Sequence, residues 1–469
     1  MIARLAWRSL LVHPVRTMVL AGGFGVGIAV MATLLGVAEV VLQQSRAPAL
    51  VGGGDVIVTG AAGRLTSARY VLWGALGSTG LAERVAAAAP TSRGSVYLVE
   101  EGGVTRLRTR GGIPSRERIL EDPETGRLEV WRDSPADAGW TSPEPADVLR
   151  DLDRFHPIPD APARQQSWSE WLYFNGQAGA LRFYLTLLVG PRRDDGQRVA
   201  GVRLQLERDG EMVSYAEAAV VDPDEVLRTA PELTIGSSRV RIEDARYHVT
   251  FDLPELEAGG RAEAPRAQGT VILTARRGQS LPPFEIAGAN GWVSGYVVPV
   301  MAGELDGTIR VGDDERSLAG GTGYHDHNWG FWEDVSWQWG QVQHDGLSIL
   351  YGRIFPPADA ADASRMPGFL MVLGPDGPIG QATDVTIEET NEPGSDRPSR
   401  IAVRGASDSI DLRMELTVES ATRNEMSQGP LGGGLDLLQL RASYEVSGRA
   451  GDRELNFTAP GAAETFRGR

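Results

Sequence analysis

The chain contains no cysteine and no lysine. Lacking cysteine, it can form no disulfide, no thiolate metal site and no cysteine nucleophile. The compartment stays open, because an oxidising environment permits disulfides without demanding them. All 46 basic residues are arginine, and 62 acidic residues outnumber them to give a formal charge of −16. That balance argues against nucleic acid as a partner, since gripping phosphates needs a basic surface. A G-x-S-x-G nucleophile elbow is also missing, which removes the commonest serine-hydrolase arrangement. No strand–helix–strand rhythm appears, so a parallel α/β fold is not expected.

The 469 residues exceed one ordinary domain, and 58 Gly with 28 Pro suit a turn-rich β protein. One long apolar run stands at the amino end. Residues 17–38, TMVLAGGFGVGIAVMATLLGVA, carry no charged side chain. As a helix they would span roughly 33 Å, enough to cross a bilayer core. Arg4, Arg8 and Arg16 precede the run and Glu39 follows it. By the positive-inside rule, residues 1–16 are cytoplasmic and 17–42 form a transmembrane helix. The C-terminal domains then lie on the periplasmic or extracellular side of a cell inner membrane, in a single-pass arrangement. Gly22, Gly23, Gly25 and Gly27 would let a second helix approach, although glycine is common in such helices anyway. The rival reading is a cleavable signal peptide with Ala47-Pro48-Ala49 as its site; the run is longer than the usual signal core of about 7–15 residues. The segment MIARLAWRSLLVHPVRTMVLAGGFGVGIAVMATLLGV resembles the start of a MacB/FtsX-type ABC transporter permease. No second charge-free run of that length follows. The resemblance therefore implies ABC transporter subunits as partners beside the chain, not a whole permease.

Residues 43–164 read as a mixed segment and linker. They hold a short apolar run (Val56, Ile57, Val58), a helix near Leu81–Ala89, and a Pro- and charge-rich stretch over 111–164. Within that stretch, PEPADVLRDLDRF suits one short helix. Beyond Trp168 the period changes to two. Val202, Leu204 and Leu206 alternate with polar residues, as do Tyr247, Val249 and Phe251, and again Ile410, Leu412, Met414, Leu416 and Val418. Successive strand side chains face opposite sides, so each segment has one wet and one buried face. Many such strands between Gly, Asp and Pro turns predict antiparallel barrels or sandwiches.

Two segments break the alternation. The first is Trp168-Ser169-Glu170-Trp171-Leu172-Tyr173-Phe174-Asn175-Gly176. The second is Gly323-Tyr324-His325-Asp326-His327-Asn328-Trp329-Gly330, with Phe331, Trp332, Trp337 and Trp339 close behind. Six aromatics fall in residues 324–339, against 7% for the chain, and four of its eleven Trp lie there. Such density marks a site or a special core. On a strand His325, His327 and Trp329 share one face and Asp326 takes the other.

These residues resemble the carotenoid 1,2-hydratase (hydroxyneurosporene synthase) and AttH-like family, over roughly residues 165–469. The resemblance implies an all-β fold of two consecutive lipocalin-like antiparallel barrels after the transmembrane helix. We assign the first to 165–290 and the second, containing GYHDHNWG, to 291–469. It implies an apolar lipid or isoprenoid ligand, no cofactor, and in the hydratase members addition of water to a terminal C=C bond. Protonating an alkene carbon needs a buried acid and faces that tolerate a carbocation, which aromatic rings provide. The resemblance implies His327, Trp329, Tyr351 and Asp326 as catalytic residues. Glu170, Trp171, Tyr173, Tyr324, His325, Asn328, Trp332 and Arg353 are the expected ligand-binding set. Arg353 stands where the family places an acid, and a cation there would oppose a carbocation. His325 and His327 form an H-x-H pair, but no third ligand is evident and no metal is expected. Structural readings stay open beside these: His327 as a hydrogen-bonded core histidine, the Trp cluster as packing, Glu170 paired with an arginine, and His344-Asp345-Gly346 as a turn. Two functions therefore compete: binding or transfer of an isoprenoid or lipid beside an ABC transporter, and a hydratase-type hydro-lyase.

Overall fold

A computed structural model describes residues 56–59, 65, 67–77, 82–100, 103–122, 125, 128–208, 210–256, 265–426 and 435–468. The expected transmembrane helix and its permease-like resemblance lie outside these residues. Among the described residues no helix is long and apolar enough to cross a membrane.

The chain divides into two compact units. One includes Ala86–Asp137. Its hairpin joins Ser92–Glu100 to Gly103–Gly111, followed by a short helix at Pro114–Ile119. There Arg110 pairs with both Glu117 and Asp122. The other unit holds Thr66–Val85 and Ala138–Arg469. Its helix at Ala68–Gly77 lies upstream of the one expected near Leu81–Ala89, where residues 83–90 are turn and coil. Val56, Ile57 and Val58 form no strand and are exposed. The helix foreseen in PEPADVLRDLDRF is present as Pro145–Leu152, with Pro at its start, where a missing N–H costs nothing.

Two almost closed antiparallel barrels follow, of the lipocalin-like kind. In the first, the sheet runs Glu211–Val221, Arg198–Arg208, Leu181–Arg192, Trp168–Ala178, Gly321–Phe331, Val293–Val311, Arg266–Thr274, Arg246–Pro254, Ser238–Glu243 and Thr234–Ile235. A bridge between Tyr215 and Glu255 helps close it. The second runs from Gly377–Ala382 through Phe369–Gly374, Leu347–Phe355, Ser336–His344, Arg453–Gly468, Leu435–Ala450, Ile410–Met426 and Pro398–Ala406 to Asp384–Asn391. The expected boundary at 290/291 is therefore displaced. Val293–Val311 and Gly321–Phe331 hydrogen-bond within the first barrel, and the second begins at Ser336. His344-Asp345-Gly346 forms the expected turn, with Asp345 and Gly346 both at positive φ.

Alternation sets which face each strand buries. Ser238–Glu243 buries every second residue, and Leu172, Phe174, Leu185, Val202, Val249 and Phe251 fill the first interior. Val342, Tyr351, Leu370, Val403, Met414, Leu440 and Tyr444 fill the second. Burying each such side chain contributes about 1.5–3 kcal/mol. Trp168–Ala178 and Gly321–Phe331 depart from the rule, since consecutive residues of both strands are buried. A strand buried on both faces carries packing on both sides. Here one side is the first barrel's interior and the other is the junction with the second barrel.

Candidate functional site

The two motifs are neighbouring strands. Asp326 lies opposite Tyr173, His327 opposite Leu172, and Trp329 opposite Glu170. Directly opposed residues point the same way. His325, His327 and Trp329 therefore share the inner face with Glu170, while Tyr324, Asp326 and Asn328 share the outer face with Trp171 and Tyr173.

The inner face holds alternating imidazoles and carboxylates. His325 Nδ1 lies 2.9 Å from the Tyr173 carbonyl oxygen and its Nε2 lies 2.9 Å from Asp153. The other Asp153 oxygen is 3.0 Å from His327 Nδ1. His327 Nε2 is 3.0 Å from Glu170 Oε1, which is also 2.7 Å from His156 Nδ1. A carbonyl only accepts, so His325 Nδ1 carries a hydrogen. His325, His327, Asp153 and Glu170 are fully buried. Burial opposes ionisation of Asp153, but the neighbouring His325 and His327 prevail and hold it below the usual carboxylate range. Glu170 is lowered in the same way, by His156 and His327 against burial. Burial disfavours the His327 cation, yet Asp153 and Glu170 raise it to about 9. Trp329 stacks on His156 at 4.1 Å and donates to Glu285 over 3.1 Å. Gly295, opposite Trp329, has to be glycine, because a Cβ there would overlap the indole.

The outer face borders a cavity of about 900 Å³ at the barrel junction. Trp171, Trp332, Trp337, Trp339, Phe369 and Phe466 give it aromatic walls. Trp171, Trp332 and Trp337 contact one another (Trp171–Trp332 4.6 Å, Trp171–Trp337 6.1 Å, Trp332–Trp337 5.4 Å), and Trp337 stacks on Phe466 at 3.8 Å. Arg203, Gln205, Glu217, Gln338, Arg353 and Gln381 also line it, and two further polar groups centre on Asp326 and Glu464. Asp326 accepts from the Tyr324 hydroxyl and from Asn328, each at 2.8 Å; Tyr296 joins Tyr324, and Trp339 donates to Tyr296 over 3.0 Å. Glu464 accepts from Tyr173, Gln439 and Trp337. Burial and the nearby Glu464 push Asp326 well above the ordinary carboxylate range. Burial raises Glu464 to about 7. The cavity thus presents two carboxyl groups that keep protons where most carboxyls have lost them.

The expected residues therefore do not form one site. Asp326, Asn328, Trp171, Tyr173, Trp332 and Arg353 border the cavity. Tyr324 reaches it through Asp326. His325, His327, Trp329 and Glu170 face the first barrel's interior, so His327 and Trp329 do not join Asp326. Tyr351 belongs to the core of the second barrel, because its place in the Leu347–Phe355 strand points it inward. Arg353 donates to the Ala363 carbonyl over 3.2 Å and lies over the Phe355 ring at 4.8 Å. Glu170 pairs with histidines rather than an arginine. Sequence reasoning missed Asp153, His156, Tyr296 and Glu464. Asp153 and His156 sit in the stretch read as linker, and Glu464 sits in a strand of ordinary composition.

No protein-family model matches the chain, and no curated protein does. Solved structures similar to it include a putative AttH from Nitrosomonas europaea, at 13% identity and a TM-score of 0.43 over 66% of this chain and 99% of that one. A kievitone hydratase from Nectria haematococca matches at 12% and 0.43, over 66% and 93%. CghA with Sch210972 matches at 14% and 0.40, over 68% and 94%. Likeness at this level carries no functional argument, so the reading below rests on the site itself.

Proposed function

We propose that the junction cavity holds an elongated apolar molecule of the isoprenoid or lipid class. The observation that carries this reading is the cavity's wall: four indoles, three phenyl rings and two tyrosine rings around about 900 Å³, with a smaller polar part that includes Asp326, Glu464, Arg203, Gln205 and Arg353. Ligand pockets are built this way, with apolar area for affinity and few polar groups for orientation. The test is native mass spectrometry of the purified chain together with titration by acyclic polyenes. A retained or acquired apolar ligand and quenched Trp fluorescence are expected; an empty protein with unchanged fluorescence removes the reading. In the same proposal, residues 17–42 tether the chain to the inner membrane, beside ABC transporter subunits to which it would pass or from which it would receive the lipid.

Asp326 and Glu464 favour a second reading, a hydratase-type hydro-lyase. Glu464 would donate its proton to the terminal carbon of a C=C bond, leaving the positive charge on the substituted carbon. Indole faces would stabilise that cation by about 0.5–2 kcal/mol each. Water would then add to the cation, and its surplus proton would return to a carboxylate, so the sum is alkene plus water to tertiary alcohol. The acid in this scheme is Glu464, in place of the residue the sequence places at Arg353. Product analysis should show gain of one water by the polyene, abolished in Glu464→Gln; full turnover by that variant would remove Glu464 from the chemistry.

A further inference from the structure

The inner face of the same strand carries a separate cluster that the cavity reading does not use. His156, Glu170 and His327 each offer one ligand atom, and these atoms lie within 4.8 Å of one another, the one such group among the described residues. Glu170 Oε1 is 2.7 Å from His156 Nδ1 and 3.0 Å from His327 Nε2. Ligand atoms that share one metal tetrahedrally at bond lengths of about 2.0–2.2 Å stand about 3.3–3.6 Å apart, so each contact would open by a few tenths of an ångström to admit the ion.

We propose that His156, Glu170 and His327 form a binding site for a divalent transition metal of the zinc class, with two imidazoles and one carboxylate as ligands.

Three further features support it. Asp153 Oδ1 stands 3.0 Å from the other nitrogen of His327, close enough for a hydrogen bond that the present geometry does not complete. A carboxylate behind a ligating imidazole fixes its orientation and tautomer, and metal sites recurrently use this arrangement. The Glu170 carboxylate is itself held by the His156 backbone N–H, at 3.0 Å to each oxygen. Third, the cluster has a way in. Its other members are fully buried, but the His156 side chain is 24% exposed and reaches the cluster from the segment after the Pro145–Leu152 helix. Charge points the same way. Asp153 and Glu170 place two carboxylates in a dry interior, and burying charge is costly unless it is compensated. A divalent cation would supply both positive charges and displace protons from two imidazole nitrogens.

Three ligands leave further positions open, as in two-histidine, one-carboxylate sites elsewhere. The sequence showed only the H-x-H pair. Folding turns His325 toward Asp153 and brings Glu170 and His156 to His327 instead.

The test uses the full chain, freed of any histidine tag and stripped with chelator, then titrated with Zn²⁺ and Co²⁺. One metal per chain by elemental analysis and a visible Co²⁺ absorption band are expected. His156→Ala, a change at a partly exposed position, should lose both. His248→Ala, a histidine outside the cluster, should keep both. Asp153→Asn should weaken Co²⁺ affinity about 10–100-fold. A wild-type chain that takes up no stoichiometric metal, or a His156→Ala chain that binds it equally well, overturns the proposal. Polyene uptake, read on the same samples, reports on the junction cavity separately.

Discussion

The two sides of the Gly321–Phe331 strand meet carboxyl groups with opposite behaviour, of which Asp153, Glu170 and Asp326 are buried and Glu464 is half-buried. On the inner face Asp153 and Glu170 are held below the ordinary range; on the outer face Asp326 and Glu464 are raised above it. Desolvation acts the same way on all four, so the neighbours make the difference. Asp153 and Glu170 face imidazoles that can carry charge. Asp326 and Glu464 face hydroxyls, amides, indoles and each other, and for Asp326 the charge of His327 on the other face does not offset burial. Across one strand, an ionic interior gives way to a cavity whose Asp326 and Glu464 carboxyls hold their protons, although Arg203 and Arg353 also line it.

The largest effect that would test this contrast is on stability. Asp153→Ala leaves His325 and His327 buried without their shared counter-charge, and removing one partner of a buried pair costs about 3–5 kcal/mol. Asp326→Asn exchanges one neutral group for another of similar shape, so its cost should stay near that of a single hydrogen bond, about 0.5–1.5 kcal/mol. Urea unfolding of the two variants measures both. Equal losses would mean that the inner cluster is not held by charge.

Next comes ligand binding. Trp337→Ala removes an aromatic wall of the cavity and should weaken polyene binding by about 2 kcal/mol, roughly thirtyfold. Trp329→Ala, one motif away but on the other face, should leave that affinity unchanged while lowering stability by about 3–5 kcal/mol. Fluorescence titration and unfolding curves read the two effects apart. A lost affinity in Trp329→Ala would join the faces into one site.

A smaller effect is expected with pH. Glu464 holds its proton to about 7 in the folded chain, against 4.5 for an ordinary glutamate. Its contribution to stability is full below pH 4.5, declines as the unfolded chain ionises, and is lost once pH passes about 7. Glu464→Gln should flatten that part of the profile. Any hydration activity should fall over the upper end of the same window, as the acid is lost. A wild-type profile identical to that of Glu464→Gln would show that this carboxyl does not keep its proton.

Much of this contrast was already written in the sequence. Alternation alone put His325, His327 and Trp329 on one face and Asp326 on the other, and period-two segments at Val202–Leu206, Tyr247–Phe251 and Ile410–Val418 all lie in strands. What alternation cannot convey is which strands touch. Glu170 meets His327 across 157 positions, and Gln439 meets Tyr173 across 266. The barrel boundary was misplaced for the same reason. Val293–Val311 looks like the start of something new, but its partners, Arg266–Thr274 and Gly321–Phe331, lie on either side of it in the chain. Asp153 and His156 escaped notice because Pro and charge made their segment read as linker. Ala462-Ala463-Glu464-Thr465-Phe466 offers no local sign that its carboxyl opens onto a cavity.

Tyr351 supplies the smallest effect and the sharpest test of face assignment. The family resemblance puts it in the site with His327, whereas the fold puts it inside the second barrel, beside Tyr444, with Gly340 leaving room for both rings. Burial pushes its phenol far above the usual range, so it offers no charge to any reaction there. Tyr351→Phe removes only an oxygen from that core, and polyene affinity should change less than about twofold, under roughly 0.4 kcal/mol. Any hydration rate should also be retained. A variant that folds normally but no longer takes up ligand would mean that the second barrel's interior opens to the cavity. The separation of faces would then hold only for the first barrel.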